Sequence, residues 1–313
     1  MSELCLVTGG AGFIGSHLAE TLAAQGRPVR VLDDFSTGLR GNLEHVRPMP
    51  EVVEGDLADP EVVERAMRSV GLVFHLGALA SVARSVEAPL ASHRACCTGT
   101  VAVLDAARKA GVRRVVYAAS SSAYGGLQKD LQSEDDTVRP LSPYAAAKLA
   151  GELYAQAFSA TYGLETVAVR FFNIFGPRQR ADSPYSGVIA LFIAALAGGR
   201  APIVHGDGLQ SRDFTYVGNA VQAVLKAAEA PGVSGKVYNV GTGCRVTVLD
   251  LVASLNRLLG SNLQPQFGPA RAGDVRDSCA DIRRARQDLG YDPQISFDEG
   301  LARTLEWYQK TRA

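Results

Sequence analysis

The chain carries no surplus charge of either sign: 32 Lys and Arg balance 32 Asp and Glu over 313 residues. A zero balance gives no global field to draw in a nucleic acid or an anionic membrane, so any anionic ligand must be held by local basic side chains. Cysteine is scarce. Cys5, Cys96, Cys97, Cys244 and Cys279 are odd in number and lack Cys-x-x-Cys spacing, which argues against a disulfide framework and against a thiolate zinc site. The five histidines (His17, His45, His75, His93, His205) include no i, i+4 pair, so no metal is expected. No apolar run approaches the ~20 residues of a spanning helix. Met1 leads into a β-like Leu4–Thr8 without the charged and apolar regions of a signal peptide, and a cytoplasmic protein with no membrane partner is expected. A Gly-Lys-Ser/Thr phosphate loop is missing, which disfavours an ATPase or kinase. Internal repeats and low-complexity linkers are also missing.

What is present is a hydrophobic fraction of 47%, ample for a buried core at this length. Short Val/Leu-rich runs alternate with helical stretches, and the expected strands are Leu4–Thr8, Pro28–Asp33, Glu51–Gly55, Leu72–Leu76, Arg114–Ala119 and Glu165–Phe172. Several are continuously apolar, as strands buried on both faces are. Helices are expected at Gly12–Gln25, Ser92–Ala110 and Tyr144–Tyr162, each crossover being long enough for a right-handed βαβ connection. The fold class is therefore α/β, a doubly wound parallel (Rossmann) sheet with a smaller, interleaved C-terminal substrate lobe. After Phe172 the sheet rhythm weakens among loops rich in Gly, Pro and Arg, whereas Thr215–Ala228 reads as a helix and Lys236–Val240 as a strand returning to the first domain. The expected division is 1–175 plus about 213–243 for the first domain, and about 176–212 plus 244–313 for the second lobe.

Two constellations carry chemistry. In Thr8-Gly9-Gly10-Ala11-Gly12-Phe13-Ile14-Gly15 the glycines Gly9, Gly12 and Gly15 recur every third residue between a strand and a helix. Glycine there lets the backbone turn tightly and lets a pyrophosphate approach the free N–H groups of the helix start. Asp33 ends the second strand 18 residues after Gly15, where a carboxylate accepts from a ribose diol and repels a 2′-phosphate, favouring NAD over NADP. Asp34-Phe35-Ser36-Thr37-Gly38 supplies small polar groups, and Gly55-Asp56-Leu57 closes the third strand where the adenine should lie. The second constellation is Tyr144 with Lys148, 24 residues after Ser120. A tyrosine pKa lies near ~10, so a Tyr that accepts a proton at neutral pH needs a positive charge, and Lys148 at i+4 shares its helix face.

The chain resembles the extended short-chain dehydrogenase/reductase family, and within it the UDP-hexose 4-epimerases. The likeness runs nearly end to end. It rests on the Thr8–Gly15 loop, Asp33–Gly38, Ser120-Ser121-Ser122-Ala123-Tyr124-Gly125, Tyr144-x-x-x-Lys148 and Arg170–Gln179, then Gly206–Gly208, Ser211–Val217, Asn239–Gly243 and Arg271–Val275. The resemblance implies a tightly held NAD and a UDP-sugar substrate, oxidised at C4 to a transient 4-keto sugar and reduced again on its other face. It implies Tyr144 as base, Lys148 and a cationic nicotinamide as its activators, and Ser120, aligned on Tyr124, as the hydroxyl that relays the proton. Phe13, Ile14, Leu76, Ala78 and Ala80 join the cofactor contacts. Arg212 and Arg271 are the candidates to grip the diphosphate through forked guanidinium donors. Asn173 should reach diphosphate or sugar, Val188 and the Val204–His205 edge should border the uracil, Asp274 should bind the uridine ribose, and Ser81, Ser121 and Ser122 should lie beside the sugar.

Dehydratases and decarboxylases of this family carry acids within the stretch that here reads Ser121-Ser122, so both alternatives lose ground without being closed. Asn173 favours a neutral hexose over a uronate, whereas Arg180 offers a cation to a 6-carboxylate, keeping UDP-glucuronate as an alternative. Ser278 stands where a bulky Tyr limits some members to non-acetylated sugars, so UDP-GlcNAc and UDP-GalNAc are expected alongside UDP-Glc and UDP-Gal. Three departures from the family pattern are Cys96 for Asn, Gly77 for Ala and Asn219 for Asp. A non-catalytic NAD-binding regulator is the reading from another class, and it would have no reason to keep Ser120, Tyr144 and Lys148 together. A homodimer through helices Ser92–Ala110 and Tyr144–Tyr162 is what the resemblance suggests.

Overall fold

The computed structural model describes residues 3–181, 187–270 and 275–312. Its centre is a seven-stranded sheet of β1 (Cys5–Thr8), β2 (Val29–Asp33), β3 (Glu51–Glu54), β4 (Leu72–His75), β5 (Arg114–Ser120), β6 (Glu165–Phe171) and the strand Lys236–Val240. From one edge the order is Lys236–Val240, β6, β5, β4, β1, β2, β3, and every pairing is parallel. Chain order reverses between β1 and β4. In open sheets of this kind the crevice beyond the strand ends at that reversal receives the ligand.

The apolar runs explain the layering. All four residues of β1 and of β4 are buried, whereas the edge strand β3 is largely exposed. On one face, α1 (Phe13–Ala24) and the helix Val217–Glu229 contribute Leu18, Leu22, Val221 and Val224 to a core with Val7 and Val31. On the other, Val63, Leu104, Val115 and Phe158 form a second core under helices Pro60–Ala66, Gly99–Ala110 and Pro143–Tyr162. A third core gathers Phe175, Phe192, Phe214, Leu251 and Leu305 beside the sheet. Around it lie short pairings: Ile203–His205 with Gln266–Gly268, and Ser211–Arg212 between Val246–Thr247 and Asp277–Ser278.

The expected elements are found within a residue or two, with two differences. Thr215–Tyr216 is a short strand pairing with Ile174–Phe175, and the helix begins at Val217. The stretch expected as one helix over Ser92–Ala110 is broken by a π-turn at Arg94–Thr98, between Pro89–His93 and Gly99–Ala110. From the following helix the Thr100 hydroxyl donates to the Cys96 carbonyl of this turn at 2.6 Å. Among the described residues no helix is long and apolar enough to cross a membrane.

Candidate active site

Glycine chemistry shapes the crevice. Gly9 has a left-handed φ of 66°, and a Cβ there would lie 2.7 Å from Gly77 Cα. At Gly15 a Cβ would sit 2.1 Å from the Gly9 carbonyl oxygen, so only glycine lets α1 start this close to the turn. Gly77, one of the departures, has its own reason: a Cβ there would meet Leu57 Cδ1 at 2.3 Å. The first turn of α1 has no acidic residue and no side-chain cap, which leaves its N–H groups for an anion.

These residues border a cavity of about 750 Å³. At its nucleotide end stand Gly9, Gly12, Phe13, Ile14, Gly15, Asp33, Asp34, Ser36, Thr37, Asp56 and Leu57, with Leu76, Ala78, Ala80 and Ser81 along the β4 side. Asp33 Oδ2 accepts from Ala11 N and Oδ1 from Phe35 N, both at 2.9 Å. Burial raises its pKa, and those two N–H donors oppose the rise. Each carboxylate oxygen has a second lone pair, so the residue can still take a ribose diol. Gly38 is not on the cavity wall, and a Cβ there would lie 3.0 Å from Ala11 and from Asp33 Oδ1. Asp56 accepts from Arg94 Nη2 at 2.9 Å and from Ala58 N at 2.8 Å.

At the other end of the same cavity stand Ser120, Tyr144, Lys148 and Asn173. Ser120 ends β5, and the helix bearing Tyr144 and Lys148 starts at Pro143 after the Ser142 side chain caps it by accepting from Ala145 N. Lys148 is 3% exposed, and its Nζ lies 4.5 Å from the centre of the Tyr117 ring. Burial lowers its pKa to about 8. Burial, reinforced by Cys96, pushes Tyr144 well above the ordinary tyrosine value, and a hydrogen bond with Ser120 opposes it. Spacing alone suggests a phenolate stabilised by Lys148. Burial instead dominates at Tyr144, because spacing along a helix says nothing of depth. A positive charge brought close to the phenol would favour the phenolate.

A buried ion pair braces this end. Arg170 donates to Glu152, one turn beyond Lys148, at 2.9 and 2.6 Å, and its Nη1 donates to the Tyr124 hydroxyl at 2.8 Å. Tyr124 in turn donates to Asn239 Oδ1 at 2.7 Å. The helix of the Tyr/Lys pair is thus tied to the turn that follows Ser120. Ser122 Oγ shares a 2.8 Å hydrogen bond with Ser120 Oγ, and Ser121 opens the 3-10 turn after it.

Of the described candidates, Arg212, Ser278, Val204, His205 and Val188 lie apart from the cavity wall. Arg212 and Ser278 face each other in the small sheet, with Arg212 Nη1 donating to the Ser211 and Arg276 carbonyls. Val204 is 1% exposed, its side chain turned into the third core, while His205 Nδ1 lies 3.1 Å from the Pro269 carbonyl oxygen. Val188 starts a helix against that core. Arg271 and Asp274 lie outside the described residues. Ser81 caps the helix Val82–Glu87 by accepting from Arg84 N at 3.1 Å.

The cavity also holds residues that the sequence reading left without a role: Asn42, Arg84, Arg178 and Gln179, beside Arg180. Arg178 has a left-handed φ of 67°, and its guanidinium reaches Ser16 and Glu20 of α1 and His45. His17 Nε2 lies 3.0 Å from the Pro177 carbonyl oxygen. The motif Gly176-Pro177-Arg178-Gln179 was the one signal for this loop. Arg84 gave none.

Burial lowers the pKa of His17 to about 4, with the Arg178 charge assisting, and burial lowers that of His75 to about 3. Both start to protonate near ~6.5 in an unfolded chain. As pH falls below that value the unfolded state binds more protons, so the stability present above ~6.5 is lost progressively toward pH 4. Urea midpoints at pH 7.5 and pH 5 test this. The lower pH should give the lower midpoint, and equal midpoints would contradict it.

A doubly wound sheet, a glycine turn into a helix, an acid at the end of β2 and a Tyr/Lys pair across the crevice define a nicotinamide-dependent enzyme of the Rossmann class. The chain belongs to the NAD dependent epimerase/dehydratase family, whose model matches residues 5–241. Its cofactor is NAD. It is 40% identical over 308 residues to the UDP-glucose 4-epimerase of Mycolicibacterium smegmatis, covering 97% of this chain and 98% of that one. Among solved structures it is similar to the UDP-N-acetylglucosamine 4-epimerase of Methanobrevibacter ruminantium M1 in complex with UDP-N-acetylmuramic acid, with 35% identity, a TM-score of 0.94 and 99% of each chain covered. It is also similar to MoeE5 in complex with UDP-glucuronic acid and NAD, with 38% identity, a TM-score of 0.88 and 98% and 99% covered. A nucleotide-sugar decarboxylase and dehydratases also stand among its relatives.

Asp33→Asn tests the ribose contact. A hydrogen bond to a charged group contributes about 1.5–3 kcal/mol, so NAD affinity should fall roughly 10- to 100-fold with a smaller fall for NADP. Titration calorimetry with both nucleotides reads this directly, and an unchanged NAD-to-NADP ratio would remove Asp33 from the selection.

Proposed function

We propose that the chain inverts C4 of a UDP-hexose, acting on UDP-GlcNAc and UDP-GalNAc and on UDP-Glc and UDP-Gal. The observation that carries this is one cavity with the glycine loop and Asp33 at one end and Ser120, Tyr144 and Lys148 at the other. When bound, NAD supplies reversible hydride acceptance at C4 of the sugar. Tyr144 takes the proton of the 4-hydroxyl, Ser120 holds that oxygen and passes the proton, and Lys148 keeps positive charge beside the phenolate. The 4-keto sugar turns about its diphosphate, Tyr144 then returns the proton to the C4 oxygen, and C4 regains its hydride on the opposite face. No net oxidation occurs, so no second substrate is consumed. Ser121 and Ser122, in place of acids, leave elimination and decarboxylation without an additional proton donor.

The second lobe, about residues 176–212 and 244–313, holds the nucleotide in this reading. Arg212 and Arg271 take the diphosphate, Asn173 the diphosphate or sugar, Asp274 the ribose, and Val188 with the Val204–His205 edge the uracil. Ser278 leaves room for a 2-acetamido group. A homodimer is part of the reading, supported by Leu153, 55% exposed on the helix Pro143–Tyr162, and by Leu90, 84% exposed on the short helix Pro89–His93 that leads into the other. A second reading, UDP-glucuronate 4-epimerisation, is favoured by Arg180 on the cavity wall and by the likeness to a structure holding UDP-glucuronic acid.

Proton NMR of the purified protein with UDP-GlcNAc, UDP-Glc and UDP-glucuronate, first without and then with added NAD, tests the proposal. The matching 4-epimer should appear from a neutral hexose. Conversion of UDP-glucuronate alone would select the second reading, and silence on all three with NAD present would overturn both.

A further inference from the structure

Beneath Lys148 runs a buried chain of hydrogen bonds that no step above uses. Gly77 N lies 3.1 Å from Thr8 Oγ1, Thr8 Oγ1 lies 2.7 Å from His75 Nδ1, His75 Nε2 lies 2.9 Å from Thr100 Oγ1, and Thr100 Oγ1 donates to the Cys96 carbonyl at 2.6 Å. The donors can be counted. Thr100 has one hydroxyl hydrogen and gives it to Cys96, so it must accept from His75 Nε2–H. Gly77 N–H donates to Thr8, whose own hydrogen then goes to His75 Nδ1. The chain is consistent in one direction only, and only with a neutral imidazole protonated at Nε2. An imidazolium would set a second donor against Thr8 and strip that hydroxyl of its acceptor.

His75 is 0% exposed. Its ring lies 5.6 Å from that of Tyr117, tilted by 32°. Tyr117 in turn donates its hydroxyl to the Lys148 carbonyl at 3.0 Å and forms the floor on which the Lys148 ammonium rests. Gly151 makes this possible, since a Cβ there would lie 2.3 Å from the Tyr117 hydroxyl. The groups around the imidazole are thus Thr8 from β1, Tyr117 from β5, Thr100 and Cys96 from the π-turn helix, and Lys148.

We propose that His75 is a positioning residue for the Tyr144–Lys148 pair, its neutral ring fixing the Tyr117 floor and coupling it to the cofactor turn at Thr8–Gly9 and to the π-turn at Cys96. This rests on the reading of Tyr144 as the base. Were Lys148 to lose its floor, the charge that the proposed reaction sets beside the phenolate would move, and the Tyr144 pKa in the working complex would rise. The π-turn gains a function in the same account, since it presents the Cys96 carbonyl to Thr100 and thereby closes the chain.

The test compares His75→Gln, Thr100→Val and Thr100→Ser with the parent, in the full chain with NAD. The readouts are the pH profile of turnover on whichever sugar is converted, NAD affinity and thermal midpoint. An opposite charge within 4–6 Å moves a pKa by roughly 1–3 units. His75→Gln and Thr100→Val should therefore shift the acidic limb upward by about one unit, with turnover at pH 7 down about 10-fold and NAD affinity within about twofold. Thr100→Ser keeps the hydroxyl and should restore the parent limb. If Thr100→Val and any folded His75→Gln lose stability while the limb stays in place, the network is structural only and the proposal is overturned. If the limb of the parent itself survives Tyr144→Phe, the failure lies instead with Tyr144 as base.

Discussion

Tyr144→Phe is expected to lower turnover by ~10²–10⁴-fold, the contribution of a positioned proton-transfer group, while the chain stays folded and binds NAD. The change deletes one oxygen from a side chain that faces the cavity and, of the described groups, reaches Ser120. The apolar ring stays in place against Cys96, Cys97 and Leu79. The loss should therefore fall on kcat and leave KM nearly unchanged, because the phenol contributes chiefly as the proton moves. A regulator that only binds NAD would be indifferent to the change. Progress curves on the converted sugar, with NAD titrated separately, decide the matter. Retention of more than about a tenth of parent turnover would remove Tyr144 from the role of base.

Glu152→Ala is expected to cost about 3–5 kcal/mol, because it leaves the Arg170 guanidinium buried without its counter-charge. The side chains are 5% and 3% exposed, so water cannot replace the lost carboxylate without opening the core. This is a large part of the ~5–15 kcal/mol that holds a domain together. The damage reaches the site too, since Arg170 also anchors Tyr124, which follows the Ser120 turn. The double variant Glu152→Leu with Arg170→Met removes both charges together. It should recover most of the loss, as replacement of a whole buried pair by apolar residues does. Urea denaturation of the three proteins checks this, and a single-variant loss below about 1 kcal/mol would show that the pair is not desolvated as described.

The sheet was legible because its strands are buried on both faces and so read as continuous apolar runs, β1 and β4 above all. The tight turn from β1 into α1 was legible too, for Gly9 and Gly15 answer local demands of backbone room that follow from spacing. Other features depend on what the rest of the fold brings. No local signal marks the π-turn at Arg94–Thr98, which closes on Thr100 and, through it, on His75 from a different strand. Arg178 enters the cavity because its loop docks on Ser16 and Glu20 of α1, some 160 residues earlier. In the three-residue strand Ile203–His205 the alternation puts Val204 inward and leaves Ile203 56% exposed, a parity too short to read from sequence. Depth was likewise hidden, and depth is what pushes the Tyr144 pKa up and the Lys148 pKa down.

In the proposed reaction the C4 hydrogen leaves the sugar and returns to it within one cavity. UDP-glucose and UDP-GlcNAc deuterated at C4 should be incubated with the protein and NAD in ordinary water, and the products read by NMR and mass spectrometry. The account predicts a 4-epimer that keeps its deuterium at C4. A 4-epimer with the label washed out to solvent, or no epimer from either sugar, would contradict it.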